Sequence, residues 1–265
     1  MKPGMPQPGL TLDGRRAAIV AAHPDDETIG VGGCLSRFSE VAFIHITDGA
    51  PRDMRDAAAN GFTSREEYAA TRRQEFLEAL QVGAVSPANT AALEHADQEA
   101  SWHLVEIARE LARLLAQLAV DTVLAHPYEG GHPDHDAASF ATHAACRLLP
   151  SGRRPRILEF TSYHGRAGQI ETGVFLLEGG SPETSLRLDP QERSRKERML
   201  ACYRTQQVVL RQFQTIEERF RPAPEYDFTK PPHPGPLYYE QYPWGMMATR
   251  WVGFAEAALH ELGLG

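Results

Sequence analysis

The chain has 265 residues, of which 42% are apolar and 23% charged. That is enough apolar material for one large domain with a real core. A formal net charge of −8 and a pI near 5.8 argue against an electrostatic nucleic-acid binder, and no run approaches the roughly 18 consecutive apolar residues of a bilayer span, so neither nucleic acid nor membrane is expected as a partner.

The first 16 residues, MKPGMPQPGLTLDGRR, are rich in Pro and Gly and lack the apolar centre of a secretory signal. The run AAIVAA at 17–22 reads as a short buried strand, followed by a helix over 29–38 and a β-branched second strand, VAFIHIT, at 41–47. After the loop Asp48-Gly49-Ala50-Pro51, Ser64 and Glu67 match a capping box that opens a long helix to about Val82. A helix over 99–119 places Leu104, Ile107, Leu111, Leu114, Leu115 and Leu118 on one side. DTVLAH at 121–126 reads as a strand and 134–149 as a helix; strands at 156–162 and 172–178 and a helix over 190–217 follow. This alternation predicts an α/β fold with a mostly parallel sheet and helices on both faces. Residues 1–265 read as one domain, with a core over about 15–217 and a Pro- and aromatic-rich arm from 218 onwards. That arm packs on the domain, walls a binding groove or makes a subunit contact, so a homo-oligomer stays open. Cys34, Cys146 and Cys202 are widely spaced, odd in number and form no CxxC pair, which suits reduced thiols in a cytoplasmic protein. Any metal site must then draw on His and carboxylate.

Ligands of open α/β sheets bind beyond the carboxyl ends of the strands. The two richest polar clusters fall just there. The first is His23-Pro24-Asp25-Asp26-Glu27. Pro24 ends the strand, and the turn it forces can bring His23 and Asp26 to one point with Asp25 close by. Taken alone, the cluster is equally a turn with solvated acids. The second is Gly130-Gly131-His132-Pro133-Asp134-His135. Its glycines permit a tight turn, Pro133 suits the first turn of a helix, and His132 and His135 are neighbours on one helical turn. Alone it is also a surface helix start with incidental histidines. Together the clusters supply two histidines and a carboxylate for a metal, leaving an acid and a histidine over, which matches a catalytic zinc site with an open position.

The strings AHPDDETIGVGG at 22–33 and GHPDH at 131–135 resemble the two signature motifs of the PIG-L/LmbE-like zinc-dependent N-deacetylases. Thr47-Asp48-Gly49, Arg72-Arg73-Gln74-Glu75, and Lys196 with Tyr203-Arg204-Thr205-Gln206 are similar to further landmarks, so the resemblance covers roughly 15–215. It implies a Rossmann-like fold and a hydrolase that removes an N-acyl group, an N-acetyl group above all, from an amino sugar or glycoconjugate. By position it implies His23, Asp26 and His135 as zinc ligands and Asp25 as general base. It implies His132, as imidazolium, as oxyanion stabiliser, and Asp134 as a partner that tunes His132. Iron(II) is an alternative metal, since such sites are not exclusive.

The resemblance places Asp48, Arg72 and Asp97 among substrate-binding groups. Each has a plainer reading: a loop turn for Asp48, a surface ion pair with Glu75 for Arg72, and for Asp97 a segment, LEHADQE, that departs from the family pattern. Glu129 is a candidate for the substrate rim. His126 is either a core histidine or a neighbour of the ligands, His45 a core histidine, and the run Arg193, Arg195, Lys196, Arg198 a solvated helix face. Two rival classes, besides an amidase acting on a sugar–thiol conjugate, are a dinucleotide-binding module and a metal-dependent phosphoesterase. Gly30-Val31-Gly32-Gly33 lacks the full GxGxxG spacing of the first, and the second needs more ligands than the two clusters supply.

Overall fold

The computed structural model describes residues 12, 15–86, 89–176 and 181–265. Most of the N-terminal stretch, and residues 177 and 178 of the strand expected at 172–178, lie outside these. The elements in chain order are β1 (Arg16–Ala21), α1 (Asp26–Val31), β2 (Glu40–Pro51), α2 (Arg55–Ala59), α3 (Arg65–Val82), β3 (Thr90–Asp97), α4 (Leu104–Leu118), β4 (Thr122–Ala125) and α5 (Pro133–Leu148). They continue with β5 (Arg156–Phe160), β6 (Tyr163–Arg166), β7 (Gln169–Thr172), β8 (Thr184–Arg187), α6 (Pro190–Leu200), α7 (Gln207–Leu210), β9 (Glu217–Pro222) and α8 (Ala248–Leu262).

Seven strands form one sheet in the order β3-β2-β1-β4-β5-β9-β8. β3 through β5 are parallel, while β9 runs antiparallel to both β5 and β8. Side chains alternate across each central strand, so both faces must be apolar. Ala18 and Val20 of β1 face one core with α4, α5 and α8, whereas Ala17 and Ile19 face a second core with α1, α3 and α6. The expected fold class is therefore present. β1 and β4 are neighbours in the middle, and the chain runs from β1 outward to β2 and β3 on one side and from β4 to β5 on the other. Their carboxyl ends are the topological switch point of the sheet.

Several boundaries differ from the sequence reading. The helix expected at 29–38 begins at Asp26 and ends at Val31, before Gly32 and Gly33. The glycines there are required by packing rather than by phosphate: a Cβ on Gly33 would lie 2.3 Å from Leu188, and the amides of Gly33 and Cys34 donate to the Glu218 carboxylate at 2.7 and 3.1 Å. The dinucleotide reading loses its binding turn to that carboxylate. The long helix ending the core stops at Leu200 because Tyr203 turns inward and is fully buried. Strands β3, β8 and β9 were not foreseen. Of the strand expected at 172–178, only Thr172 is in a strand, as the end of β7, and 173–176 continue as irregular chain. At the start of α3, Ser64 Oγ accepts the Glu67 amide at 3.2 Å, as the capping signature predicted. Lys196 is not on a solvated face: it is buried, donating to Ile29 O at 2.6 Å and pairing with Glu218 at 2.8 Å.

The antiparallel strand β9 is tied to the parallel sheet by a buried charge group. Glu159 of β5 and Arg221 of β9 are register partners. Arg221 donates to Glu159 at 2.6 Å and to Glu129 at 3.3 Å, and Tyr226 OH donates to Glu159 at 2.6 Å. Glu129 also accepts the Leu176 amide at 2.7 Å through the same oxygen, and it is not among the residues lining the cleft around His23 and His132. Burial outweighs Arg221 and pushes Glu129 up to about 8 and Glu159 up to about 7. A carboxyl with a raised folded pKa binds more protons folded than unfolded, so its neutral form stabilises the fold at low pH and that contribution is lost as pH rises. The window for Glu129 runs from its ordinary 4.5 to about 8. Glu129→Gln keeps a neutral side chain at every pH. The difference in Tm between Glu129→Gln and wild type should therefore shift in favour of the variant across that window; a difference independent of pH would contradict the buried-carboxyl account.

Candidate active site

β1 ends at Ala21 and the chain turns at once. Asp25 adopts φ 131°, ψ −30°, a conformation rare for a residue with a Cβ and costing on the order of 1–3 kcal/mol. Its surroundings hold it there. The Asp25 amide donates to Glu27 Oε2 at 3.1 Å, and its carbonyl accepts the amides of Thr28 and Ile29 at 2.9 Å each. Arg72 reaches in from α3 and donates to Gly49 O at 2.7 Å, to Pro24 O at 2.8 Å and to Asp25 Oδ2 at 3.2 Å. Arg72 is buried and makes no surface pair with Glu75, whose carboxylate instead accepts from Thr205 at 2.6 and 3.0 Å. Glu27, fully buried, is itself braced by His45 Nε2 at 2.9 Å, by Thr28 Oγ1 at 2.7 Å and by the Tyr203 hydroxyl. The landmark Tyr203 and the core histidine His45 thus act through the turn that carries Asp25.

The second cluster enters from the neighbouring strand. After β4, Gly130 takes φ +69°, and Gly131 passes so close to β6 that a Cβ on it would sit 2.1 Å from Tyr163 O. His132 caps α5: its Nδ1 accepts the Asp134 amide at 3.1 Å. With Nδ1 occupied as an acceptor, the neutral ring carries its hydrogen on Nε2. Burial, reinforced by the charge of His23, pushes His132 down to about 3. In this geometry the ring is a neutral imidazole with a fixed tautomer, where the resemblance implied an imidazolium. Asp134 acts on His132 through its main-chain N–H. Its carboxylate turns the other way, accepting the amides of Gln98 and Ala100 at 2.6 and 3.1 Å.

The two clusters meet. Asp26 Oδ2 lies 3.2 Å from His23 Nδ1, and Asp26 Oδ1 lies 3.3 Å from His135 Nε2. With bonds of about 2.0–2.1 Å, tetrahedral zinc ligands stand about 3.3 Å apart, so these are ligand-edge separations. Ring nitrogens of His23, His132 and His135 also come within 4.8 Å of one another. Burial and the nearby His126 push His135 down to about 4, keeping it in the neutral form that binds metal. For Asp26, burial alone would raise the pKa, but His135 and His126 more than reverse it and hold the carboxylate ionised. The remaining nitrogen of His23, Nε2, faces Asp97 Oδ1 at 3.0 Å and Asp134 Oδ2 at 3.3 Å, the outer partner that ligating histidines usually have. Donors converge closely enough for a divalent ion in His23 with His132 and His135, and in Asp26 with His126 and His135, while His23 and His135 approach different oxygens of Asp26. His126 adds a neighbour that the sequence left open: its Nε2 lies 3.3 Å from Asp26 Oδ2, accepts the Ala22 amide at 3.2 Å, and its ring stacks on His135 at 4.0 Å.

His23, Asp25, Asp26, His132 and His135 line a cleft of about 280 Å³ that also includes Arg72, Asp97 and Tyr163. Asp25, beside Asp26, has its pKa raised by burial, with Arg72 opposing. Asp48 is not among the residues lining this cleft; it accepts the Ala50 amide at 3.0 Å and is paired with Arg65. A larger groove of about 860 Å³, lined by Trp102, Arg109 and Phe254 among others, includes none of the donors named above. Trp244, Tyr238 and Tyr242 of the C-terminal arm also wall the cleft, a role the sequence offered as one of three.

A mostly parallel α/β sheet with a buried histidine–carboxylate donor set at its switch point defines the class. Residues 18–146, just under half of the chain, match the family model described as "PIG-L: GlcNAc-PI de-N-acetylase". A Bacillus anthracis protein described as "Probable N-acetyl-alpha-D-glucosaminyl L-malate deacetylase 2" is 26% identical over 148 residues, which are 53% of this chain and 63% of that relative. Thus the match spans less than two thirds of that protein. Among solved structures, the A40926 pseudoaglycone deacetylase Dbv21 superposes with a TM-score of 0.62 at 20% identity, covering 79% of this chain and 97% of that one. The N,N'-diacetylchitobiose deacetylase from Pyrococcus horikoshii superposes with a TM-score of 0.56 at 20% identity, covering 80% and 85%. These likenesses place the fold.

The close passage of Gly131 against a backbone oxygen generates a test. Gly131→Ala should destabilise the protein by about 1–3 kcal/mol in urea unfolding, because neither partner is a side chain that can swing away. Gly152→Ala, where nothing lies within 4 Å, serves as the control and should stay within about 0.5 kcal/mol. Equal stability of the two variants would show that the β4–α5 turn is not constrained as described.

Proposed function

We propose that this protein is a metal-dependent N-deacetylase that hydrolyses the acetamide of an amino sugar or its conjugate. The observation that carries the reading is that Asp26 faces His23 through one oxygen and His135 through the other at ligand-edge distances, with ring nitrogens of His23, His132 and His135 within 4.8 Å of one another and Asp25 alongside. His23, Asp26 and His135 would hold the ion, zinc in the first instance and iron(II) as the alternative. A bound zinc lowers the pKa of its water to about 7 and polarises the amide carbonyl.

The protein's own groups then divide the proton work. Asp25 accepts the proton of the attacking water, and its elevated pKa brings it nearer neutrality, where a general base works best. Arg72, fixed on two carbonyl oxygens, holds that carboxylate in place. His132 presents Nε2–H toward the carbonyl oxygen as negative charge develops there, a contact of the type that contributes about 10²–10³ in rate. The proton held by Asp25 passes to the amine nitrogen as the C–N bond breaks, giving acetate and the free amine. Asp97 and Asp134 orient His23 from behind, which assigns Asp97 to the support of a ligand rather than to the sugar. We read residues 1–265 as one catalytic unit whose arm completes the cleft. Among the described residues no helix is long and apolar enough to cross a membrane, and we place the enzyme in the cytoplasm on its cysteine usage.

Two variants separate metal binding from proton transfer. Asp25→Asn should retain stoichiometric zinc by elemental analysis and lose about 10²–10⁴ in kcat for amine release from N-acetylglucosaminides. His135→Ala should lose the metal itself. A fully active Asp25→Asn enzyme, or stoichiometric zinc in His135→Ala, would overturn the corresponding assignment.

A further inference from the structure

The cleft has two unlike kinds of lining. The donors and acids share its lining with an apolar set, Tyr163, Val209, Phe213, Tyr238, Tyr242 and Trp244, and with Gln98, Gln206 and Gln212. The Trp244 ring lies 4.7 Å from that of His132, and Tyr242 stacks on Trp244 at 4.5 Å with planes 13° apart. Apolar surface stays open in the apolar set: Val209 is 42% and Tyr242 37% exposed, and the adjoining Val208 is 82% exposed. Exposed apolar surface bordering a polar site marks a place where a ligand is met.

The charge pattern is equally one-sided. Asp25, Asp26, Asp56 and Asp97 line the cleft, and among the described residues lining it the sole lysine or arginine is Arg72. Its two terminal nitrogens are already used on Pro24 O, Gly49 O and Asp25, and its buried Nε has no hydrogen-bond partner among the described residues. An anionic group entering beside the sugar would give up hydration and meet four carboxylates with no uncommitted lysine or arginine in exchange. The four acids would also largely offset a divalent ion among the donors.

Resting on the deacetylase reading, we infer that the group attached to the amino sugar is uncharged and aromatic, and that it packs on the Tyr242–Trp244 wall. A flat, apolar aglycone gains area burial and ring contacts there. The arm residues therefore set specificity, while the donors and acids do the chemistry.

The test uses the zinc-loaded full-length enzyme and paired glycosides of N-acetylglucosamine of one anomeric form, 4-nitrophenyl against L-malyl. Amine release should give kcat/KM at least about tenfold higher for the aryl glycoside, and Tyr242→Arg should narrow that ratio by about tenfold. The corresponding deacetylated glycosides report the subsite without chemistry, read by quenching of tryptophan fluorescence; the aryl compound should bind about tenfold tighter. Equal turnover and equal binding of the two would overturn the inference while leaving the deacetylase reading intact. Tight aryl binding without deacetylation of any substrate would sink the reading and keep the aromatic subsite.

Discussion

The structure depends on one buried carboxylate. Asp26 accepts the His23 amide at 2.8 Å and lies within 3.3 Å of ring nitrogens from His23, His126 and His135. These residues come from the ends of two adjacent strands and the first turn of a helix. An ionised carboxylate taken out of water is costly unless several positive or hydrogen-bonding groups surround it. Its surroundings are therefore over-determined, and they fix β1 against β4 at their carboxyl ends. A cation in the midst of these donors would satisfy the same lone pairs that burial has stripped of water, which is why the fold's electrostatic problem and its chemistry share one solution.

The strain at Asp25 has the same logic. A φ of 131° is tolerable only if the neighbours compel it. Glu27, Arg72 and the turn amides do so, and Glu27 is in turn held by groups as distant in sequence as His45 and Tyr203. This chain of support explains why the helix after residue 190 breaks: continuing it past Leu200 would carry the Tyr203 hydroxyl away from Glu27. Local helix propensity yields here to a buried hydrogen bond, since an unsatisfied carboxylate oxygen would cost more than a few residues of helix.

Much of this was legible in the chain. The central strands announced themselves as short apolar runs, and the two histidine–aspartate strings stand where a parallel sheet presents its ligands. What sequence could not show was direction. Arg72 and Lys196 look like surface cations because nothing in a helical pattern says that a buried carboxylate lies opposite; each is in fact satisfied by an acid far along the chain. Asp48 and Glu129 sit near the motifs yet turn toward Arg65 and Arg221. Asp134 lies inside a motif but reaches His132 by its backbone. β8 and β9 are short, charged and antiparallel, so they lack the continuous apolar run that betrays a buried parallel strand. Pairings of that kind are set by long-range contacts, not by local pattern.

The division between what was legible and what was not follows a division in the molecule. The segment matching the family, 18–146, contains His23, Asp25, Asp26, Arg72, Asp97, His132 and His135. The apolar lining residues Tyr163, Val209, Phe213, Tyr238, Tyr242 and Trp244 all lie beyond it. Groups that share a carboxylate or a ring nitrogen cannot change one at a time, because each loss strands a buried partner. Aromatic side chains in the apolar lining are under no such constraint: replacing one removes contact area without leaving a buried charge unpaired. The donor set is thus physically bound to stay as it is while the apolar lining is free to vary. That asymmetry accounts for motifs that are readable at low overall identity beside an arm whose role emerges only once Trp244 is seen against His132.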